Sequence, residues 1–226
     1  ISLPRSVALP SGFDLGFGVL TGLLFLTNFW VYQRSIVFNG LSLSVGVMRI
    51  AMIVPVVLAL VLFRESLSAW NIAGIGLGIA AFGLKANLRE LRNLLWIIGL
   101  FVISGLTDAS LKLFKEFGSG GESVFIYIVF TSAFVFTLLT IIGMRISIPC
   151  KSILLGCGLG IPNRLSTVFF LKGLDSIPAT LAYPIVAVCI VLLSIISDMV
   201  IWKKKATLRD VALWILLIIS LVLLNI

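Results

Sequence analysis

Histidine is absent from this 226-residue chain, and acidic residues are scarce, with Asp and Glu totalling 9 against 17 Lys and Arg. Without imidazole the commonest zinc ligand and the easiest near-neutral proton shuttle are both missing, so any proton chemistry must rest on carboxylates. The three cysteines, Cys150, Cys157 and Cys189, show no metal-ligand spacing. Two of them fall inside apolar runs, where a thiol packs as a small hydrophobe. No Gly-rich phosphate loop follows a strand pattern and no nucleophile–base pair is visible, so neither a cofactor nor a metal is expected and the chain does not read as an enzyme. Charged residues of both signs make up only 12% of the sequence, against about 25% in soluble domains.

Apolar residues fill the space that charge leaves. The chain is 60% hydrophobic, with a mean hydropathy of +1.22. Crossing the hydrocarbon core takes about 20 apolar residues, and short polar clusters divide the sequence into runs of that order at 14–33, 41–63, 70–87, 93–114, 123–144, 152–172, 179–202 and 208–226. The runs are continuously apolar, without the two-residue alternation of barrel strands, and helices satisfy their own backbone in lipid. The expected fold is therefore an all-α membrane protein of about eight transmembrane helices, with lipid as its main partner. Every linker is too short for a soluble catalytic domain. The segment from Leu3 to Asp14 carries Pro4, Arg5 and Pro10 and lacks the apolar core of a signal peptide. The chain opens on Ile1 and its last apolar run stops at Ile226, which reads as part of a longer protein.

Basic residues gather in alternate linkers. Arg34, Lys85, Arg89, Arg92, Arg145, Lys151, Lys203, Lys204, Lys205 and Arg209 fall on one side, and the smaller set of Arg5, Arg64, Lys112, Lys115 and Lys172 on the other. The positive-inside rule makes the first side cytoplasmic and the C-terminus external. The run from Lys203 to Lys205 reads as a lipid-headgroup anchor, and no nucleic-acid partner is expected. Glycines within the runs, Gly74 with Gly78 and the Gly156, Gly158 and Gly160 cluster, mark expected points of close helix packing.

Polar groups at membrane depth are the candidate site, because a charge at a helix centre costs roughly 2.5–3.5 kcal/mol on insertion scales and normally faces the bundle interior or a water-filled cavity. Arg49 lies mid-run; it reads either as a clamp for a ligand or carboxylate, or as half of a structural pair with Asp108 or Asp198. Asp108 and Lys112 share a helix face four residues apart, either neutralising each other or lining a cavity. Asn163 and Arg164 follow Pro162, with Ser166 and Thr167 close behind, in the most polar of the runs. A proline there frees a carbonyl and is expected to open the helix locally. Asn28 and Tyr32, one turn apart, are either substrate-orienting groups or interhelical hydrogen-bond partners. Tyr183 with Pro184 is a candidate gate. Phe125, Phe130, Phe134 and Phe136 read as core or lipid-facing, and Glu65 as a local cap or a partner of Arg64.

The chain also repeats itself. Sliding the first part along lays Ser68, Asn71, Ile72 and Ala73 over Thr207, Asp210, Val211 and Ala212, and runs 41–63 and 70–87 over 179–202 and 208–226; a separate, slightly shorter slide lays Asn28 over Asn163. Residues 1–92 then form an incomplete first repeat of three helices and 93–226 a second of five, within one membrane domain. Copies with an odd number of helices insert upside down relative to each other, and inverted repeats are a transporter signature with the site at their interface.

The run Pro55, Arg64, Glu65, Leu67, Ser68, Gly74 and Gly83 resembles the drug/metabolite transporter superfamily, EamA type, in which a proline shortly before a Gly/Arg-Glu step ends one helix and glycines mark the next. In the second copy Ser194 stands near the Pro55 position and Lys204 near Glu65, so that motif is lost there. Residues 104–118, SGLTDASLKLFKEFG, are also similar to the first helix of small multidrug resistance proteins, whose proton-coupling glutamate falls on Gly105, with Asp108 the nearest carboxylate. The resemblance implies a ten-helix, five-plus-five bundle of which this chain holds the last eight helices, in the inner cell membrane, with both ends inside. It implies a permease or exporter; the favoured reading of the polar residues is then alternating access through a cavity lined by Asn28, Tyr32, Arg49, Asp108, Asn163, Arg164 and Ser166, with Tyr183 as the candidate gate. Two arginines against one carboxylate there favour an anionic or zwitterionic metabolite. The alternative is a non-transporting membrane scaffold or an inactive transporter fragment.

Overall fold

The computed structural model describes residues 11–85, 91–145, 147–200, 203 and 208–225. Among the described residues the secondary structure is helical throughout: α1 (Gly12–Asn39), α2 (Leu41–Ile50), α3 (Ile53–Leu62), α4 (Ala69–Lys85), α5 (Leu94–Phe117), α6 (Glu122–Gly143), α7 (Cys150–Gly173), α8 (Ala179–Val200) and α9 (Leu208–Leu224). Five stretches, Gly12–Asn39, Leu43–Leu62, Leu94–Phe117, Glu122–Gly143 and Cys150–Gly173, are long and apolar enough to cross a membrane, and α4, α8 and α9 hold shorter apolar ones. The protein is an all-α, multi-pass integral membrane protein.

The run expected at 41–63 is two helices. Pro55 has no N–H to give the Ala51 carbonyl. That carbonyl instead accepts Val54 N–H at 3.0 Å, Met52 N–H reaches back to Arg49 O at 3.3 Å, and the ordinary ladder resumes with Val56 N–H on Met52 O at 3.3 Å. Ala51 (φ −59°, ψ −16°) and Met52 (φ −55°, ψ −20°) have the tight 3₁₀-like dihedrals this pattern requires. The discontinuity lies two residues beyond Arg49.

The described helices fall into two compact units that interleave along the chain. The first takes residues 1–29 and 110–176. Its core is Leu111, Phe114, Phe125, Ile126, Val129 and Leu171, with the Phe114 and Phe125 rings stacked at 3.6 Å between centroids. Gly18 and Gly22, one turn apart on α1, let that helix approach α6. A Cβ on Gly22 would lie 2.6 Å from the Val129 carbonyl oxygen, and one on Gly18 2.7 Å from Ile128 Cγ2. Ser11 and Asp14 form a reciprocal cap at the start of α1, Ser11 Oγ donating to Asp14 Oδ2 at 2.8 Å and Asp14 N–H to Ser11 Oγ at 3.1 Å. The same buried carboxylate accepts Ser119 N–H at 3.2 Å and Ser119 Oγ at 3.0 Å, fixing the α5–α6 loop. Beyond it Lys115 pairs with Glu122 and Asp175.

The second unit takes residues 30–109 and 177–226. Its principal packing sets α4 against α9 and α3 against α8, so each element rests on its counterpart in the sequence repeat. Asn71, in the first turn of α4, donates to the Leu223 and Leu224 carbonyls near the end of α9, both at 3.3 Å, and Ser220 Oγ donates to Gly74 O at 2.7 Å. The pair is therefore antiparallel. Gly74 and Gly78 sit at this contact as expected: a Cβ would lie 3.0 Å from Ser220 O at the first and 3.2 Å from Ser220 Oγ at the second. The Gly156, Gly158 and Gly160 expectation is corrected, since the three are exposed and a Cβ added to any of them would meet nothing within 4 Å.

Asn39 closes the α1 end of this unit. Its side chain is fully buried, accepts Arg92 N–H at 2.9 Å and Asn93 N–H at 2.7 Å, and donates to Asn93 O at 3.0 Å. Leucine there would strip three backbone groups of their partner at about 1 kcal/mol each. Asn39→Leu is expected to lower unfolding stability by about 2–4 kcal/mol, measured by denaturation in detergent.

Candidate functional site

Four of the expected site residues lie together in the second unit. Arg49 occupies the last turn of α2, beside the hydrogen-bonding discontinuity, and its Nε is buried without a hydrogen-bond partner. Asp108 on α5 and Tyr32 on α1 lie within electrostatic range of its guanidinium. All three side chains are partly buried. Among the described residues no ion pair within 4.0 Å joins Arg49 to Asp108, and the two interact at longer range. α5 approaches the α2–α3 joint at Gly105, where a Cβ would lie 2.7 Å from Val54 Cβ and 3.2 Å from Ala51 O. Lys112 pairs with Glu116, four residues on, on the opposite side of Lys112 along α5 from Asp108. The side chain of Asp198, the other possible partner of Arg49, lies outside the described residues.

Tyr183 is buried in the first turns of α8, and its hydroxyl donates to the Asp108 backbone carbonyl at 2.6 Å. It ties α8 to α5 at the level of Asp108. Glu65 is a cap, but of a helix far along the chain: its Oε2 accepts Thr180 N–H at 2.9 Å at the start of α8, where a carboxylate also suits the positive end of the helix dipole. Glu65→Ala is expected to cost about 1 kcal/mol of stability and Glu65→Gln less, since the amide oxygen still accepts. Thermal unfolding of the two variants in detergent checks the order.

Asn28, Asn163, Arg164 and Ser166 belong to the first unit. Asn28 is partly buried on α1, whereas Arg164 and Ser166 are exposed on α7. Pro162 does not open α7, which runs unbroken from Cys150 to Gly173. Thr167 Oγ1 donates to the Asn163 carbonyl at 3.1 Å, in the turn that follows the proline. Asn163 lines a cleft of about 290 Å³ with residues of α1, α6 and α7. The aromatic expectation divides: Phe125 is core, whereas Phe134 is exposed. Sequence reading passes over Asp14 and Asn39, whose only signal is a polar residue near the end of an apolar run.

No family model matches the chain. Among curated proteins it is similar to an uncharacterised protein of Haemophilus influenzae, 24% identical over 213 residues that span 88% of this chain and 70% of that protein.

Proposed function

We propose that the protein is a secondary transporter of the EamA-type drug/metabolite class in the inner cell membrane, moving a small anionic or zwitterionic metabolite by alternating access. The observation that carries the reading is Arg49: a cation at membrane depth, with a buried and unpartnered Nε, at a break in a membrane-crossing helix. Discontinuous helices and unsatisfied polar groups at the midplane are where secondary transporters hold their solutes. Asp108 supplies the opposite charge without closing onto the guanidinium, which leaves hydrogen-bonding capacity for a solute carboxylate or phosphate. The antiparallel α4–α9 pair and the packing of α3 on α8 support an inverted repeat, since each helix meets its own counterpart. The division into a first repeat at 1–92 and a second at 93–226 describes the descent of the segments, and the ten-helix bundle is part of the same proposal. No catalytic step is assigned.

Uptake and efflux of a pooled metabolite library by reconstituted proteoliposomes tests the proposal, with mass-spectrometric readout of what crosses. Movement of at least one acidic or zwitterionic solute is the expected result. Exclusive movement of neutral or cationic solutes would discard the charge argument, and a folded, inserted protein that moves nothing would favour a scaffold.

A further inference from the structure

The cleft in the first unit shares no residue with the Arg49 group and has a different chemistry. Its walls are the rings of Phe25 and Phe29 on α1 and of Phe130 and Phe134 on α6; no Lys, Arg, Asp or Glu lines it. Gly156 and Gly160 of α7 contribute a floor without side chains, and nothing lies within 4 Å of a Cβ built on either. Two polar side chains stand among these apolar surfaces, the Asn163 amide and the Thr137 hydroxyl, which donates to its own helix at Ala133 O at 2.7 Å. The Asn163 side chain makes no hydrogen bond among the described residues, and its backbone carbonyl accepts Thr167 Oγ1.

Each feature narrows the occupant. An ion finds no counter-charge there, and moving one out of water without a partner is prohibitive. An acyl chain fills the space but leaves the amide unpaired in an apolar medium, which costs free energy that a hydrogen-bonding ligand recovers. Phenyl rings prefer offset or edge-to-face contact with another ring, worth roughly 0.5–1.5 kcal/mol beyond buried area. The volume also fits: an apolar cavity of about 150 Å³ takes up benzene, and about 290 Å³ accommodates a substituted ring. We propose that this cleft binds a small uncharged aromatic compound bearing one hydrogen-bonding group, its ring between the phenylalanines of α1 and α6 and its polar group on Asn163. The site does not depend on the transport reading, because a scaffold protein of this structure carries the same cleft.

The test is photolabelling of the full chain in lipid nanodiscs with a benzamide that carries a trifluoromethyl-diazirine on its ring, followed by peptide mapping. Labelling is expected on peptides of α1, α6 and α7 that line the cleft, saturable and displaced by unlabelled benzamide. Gly160→Leu projects a side chain into open space at the cleft floor and is expected to reduce specific labelling by about tenfold or more; Gly158→Leu, equally open but not part of the lining, is expected to leave it unchanged. Asn163→Leu is expected to weaken benzamide displacement while leaving displacement by toluene unaltered. Gly156→Leu replaces Gly160→Leu should the latter elute as an aggregate. Unsaturable labelling, equal labelling of both leucine variants, or displacement by dodecane as readily as by benzamide would overturn the proposal, the last identifying an acyl chain as the occupant.

Discussion

Arg49→Ala is expected to abolish solute movement in proteoliposomes, by roughly a hundredfold or more, while Arg49→Lys retains a fraction. Truncating one member of a buried charge couple costs roughly 2–5 kcal/mol, and lysine restores the charge without the forked donors that hold a carboxylate or phosphate on two atoms. Loss of activity alone does not separate a solute-binding arginine from a structural one. The distinguishing measurement is the double variant Arg49→Ala with Asp108→Asn. If the couple only holds α2 against α5, removing both charges relieves the unpaired carboxylate left by Arg49→Ala, so stability and transport recover together. If Arg49 holds the solute, stability recovers and transport does not. A double variant that transports at the parental rate would refute the role assigned to Arg49, as would undiminished transport by Arg49→Ala.

The positions of the helices are legible because lipid leaves the sequence little freedom: each span must be long, apolar and bounded by polar residues. The run at 208–226 matches α9 (Leu208–Leu224), and 123–144 matches α6 (Glu122–Gly143). The split between α2 and α3 is also within reach. The family resemblance makes Pro55 the herald of a helix end, whereas a proline denies a donor to the carbonyl four residues before it, and that places the fault at Ala51 and beside Arg49. Glycines are harder. Gly74 and Gly78 pack on α9, but the Gly156 to Gly160 cluster has the same spacing and faces open space. Spacing identifies a helix face that permits close approach without saying what approaches it.

Polar residues divide along the same line. The pairing Ser68–Asn71 over Thr207–Asp210 reads in the sequence only as a repeat, yet at the first copy it is a reciprocal cap. Ser68 N–H donates to Asn71 Oδ1 at 3.0 Å and Asn71 N–H to Ser68 Oγ at 3.1 Å; Thr207 and the side chain of Asp210 lie outside the described residues. Asp108–Lys112 and Lys112–Glu116 are equally good four-residue spacings, and nothing local chooses between them. In three dimensions Lys112 pairs with Glu116, and Asp108 lies within electrostatic range of Arg49. Arg49, Asp108, Tyr32 and Tyr183 stand out in the sequence for depth and polarity alone, and the structure brings those four into one unit. Their contacts join residues as far apart in sequence as Asp108 and Tyr183, which no run of sequence displays.

Gly105→Glu is expected to destabilise the protein and not to create a proton-coupled exporter, although it installs a glutamate where the small multidrug resistance proteins resemble this chain. Where that resemblance places a functional carboxylate, this structure places a close approach of α5 to the α2–α3 joint. A Cβ at Gly105 meets Val54 Cβ at 2.7 Å and the Ala51 carbonyl at 3.2 Å, before any carboxylate is added. Overpacking alone costs about 1–3 kcal/mol, and an unpaired charge against an apolar wall adds to it. Displacing α5 from the joint also moves Asp108 away from Arg49, so transport should fall with stability. Gly105→Leu separates space from charge: equal losses of thermal stability in the two variants assign the effect to packing. Gly105→Ala with Val54→Ala, which returns the volume the new methyl takes, should recover most of the parental stability. A Gly105→Glu protein that unfolds no earlier than the parent would show that α5 does not rest on the joint in the membrane.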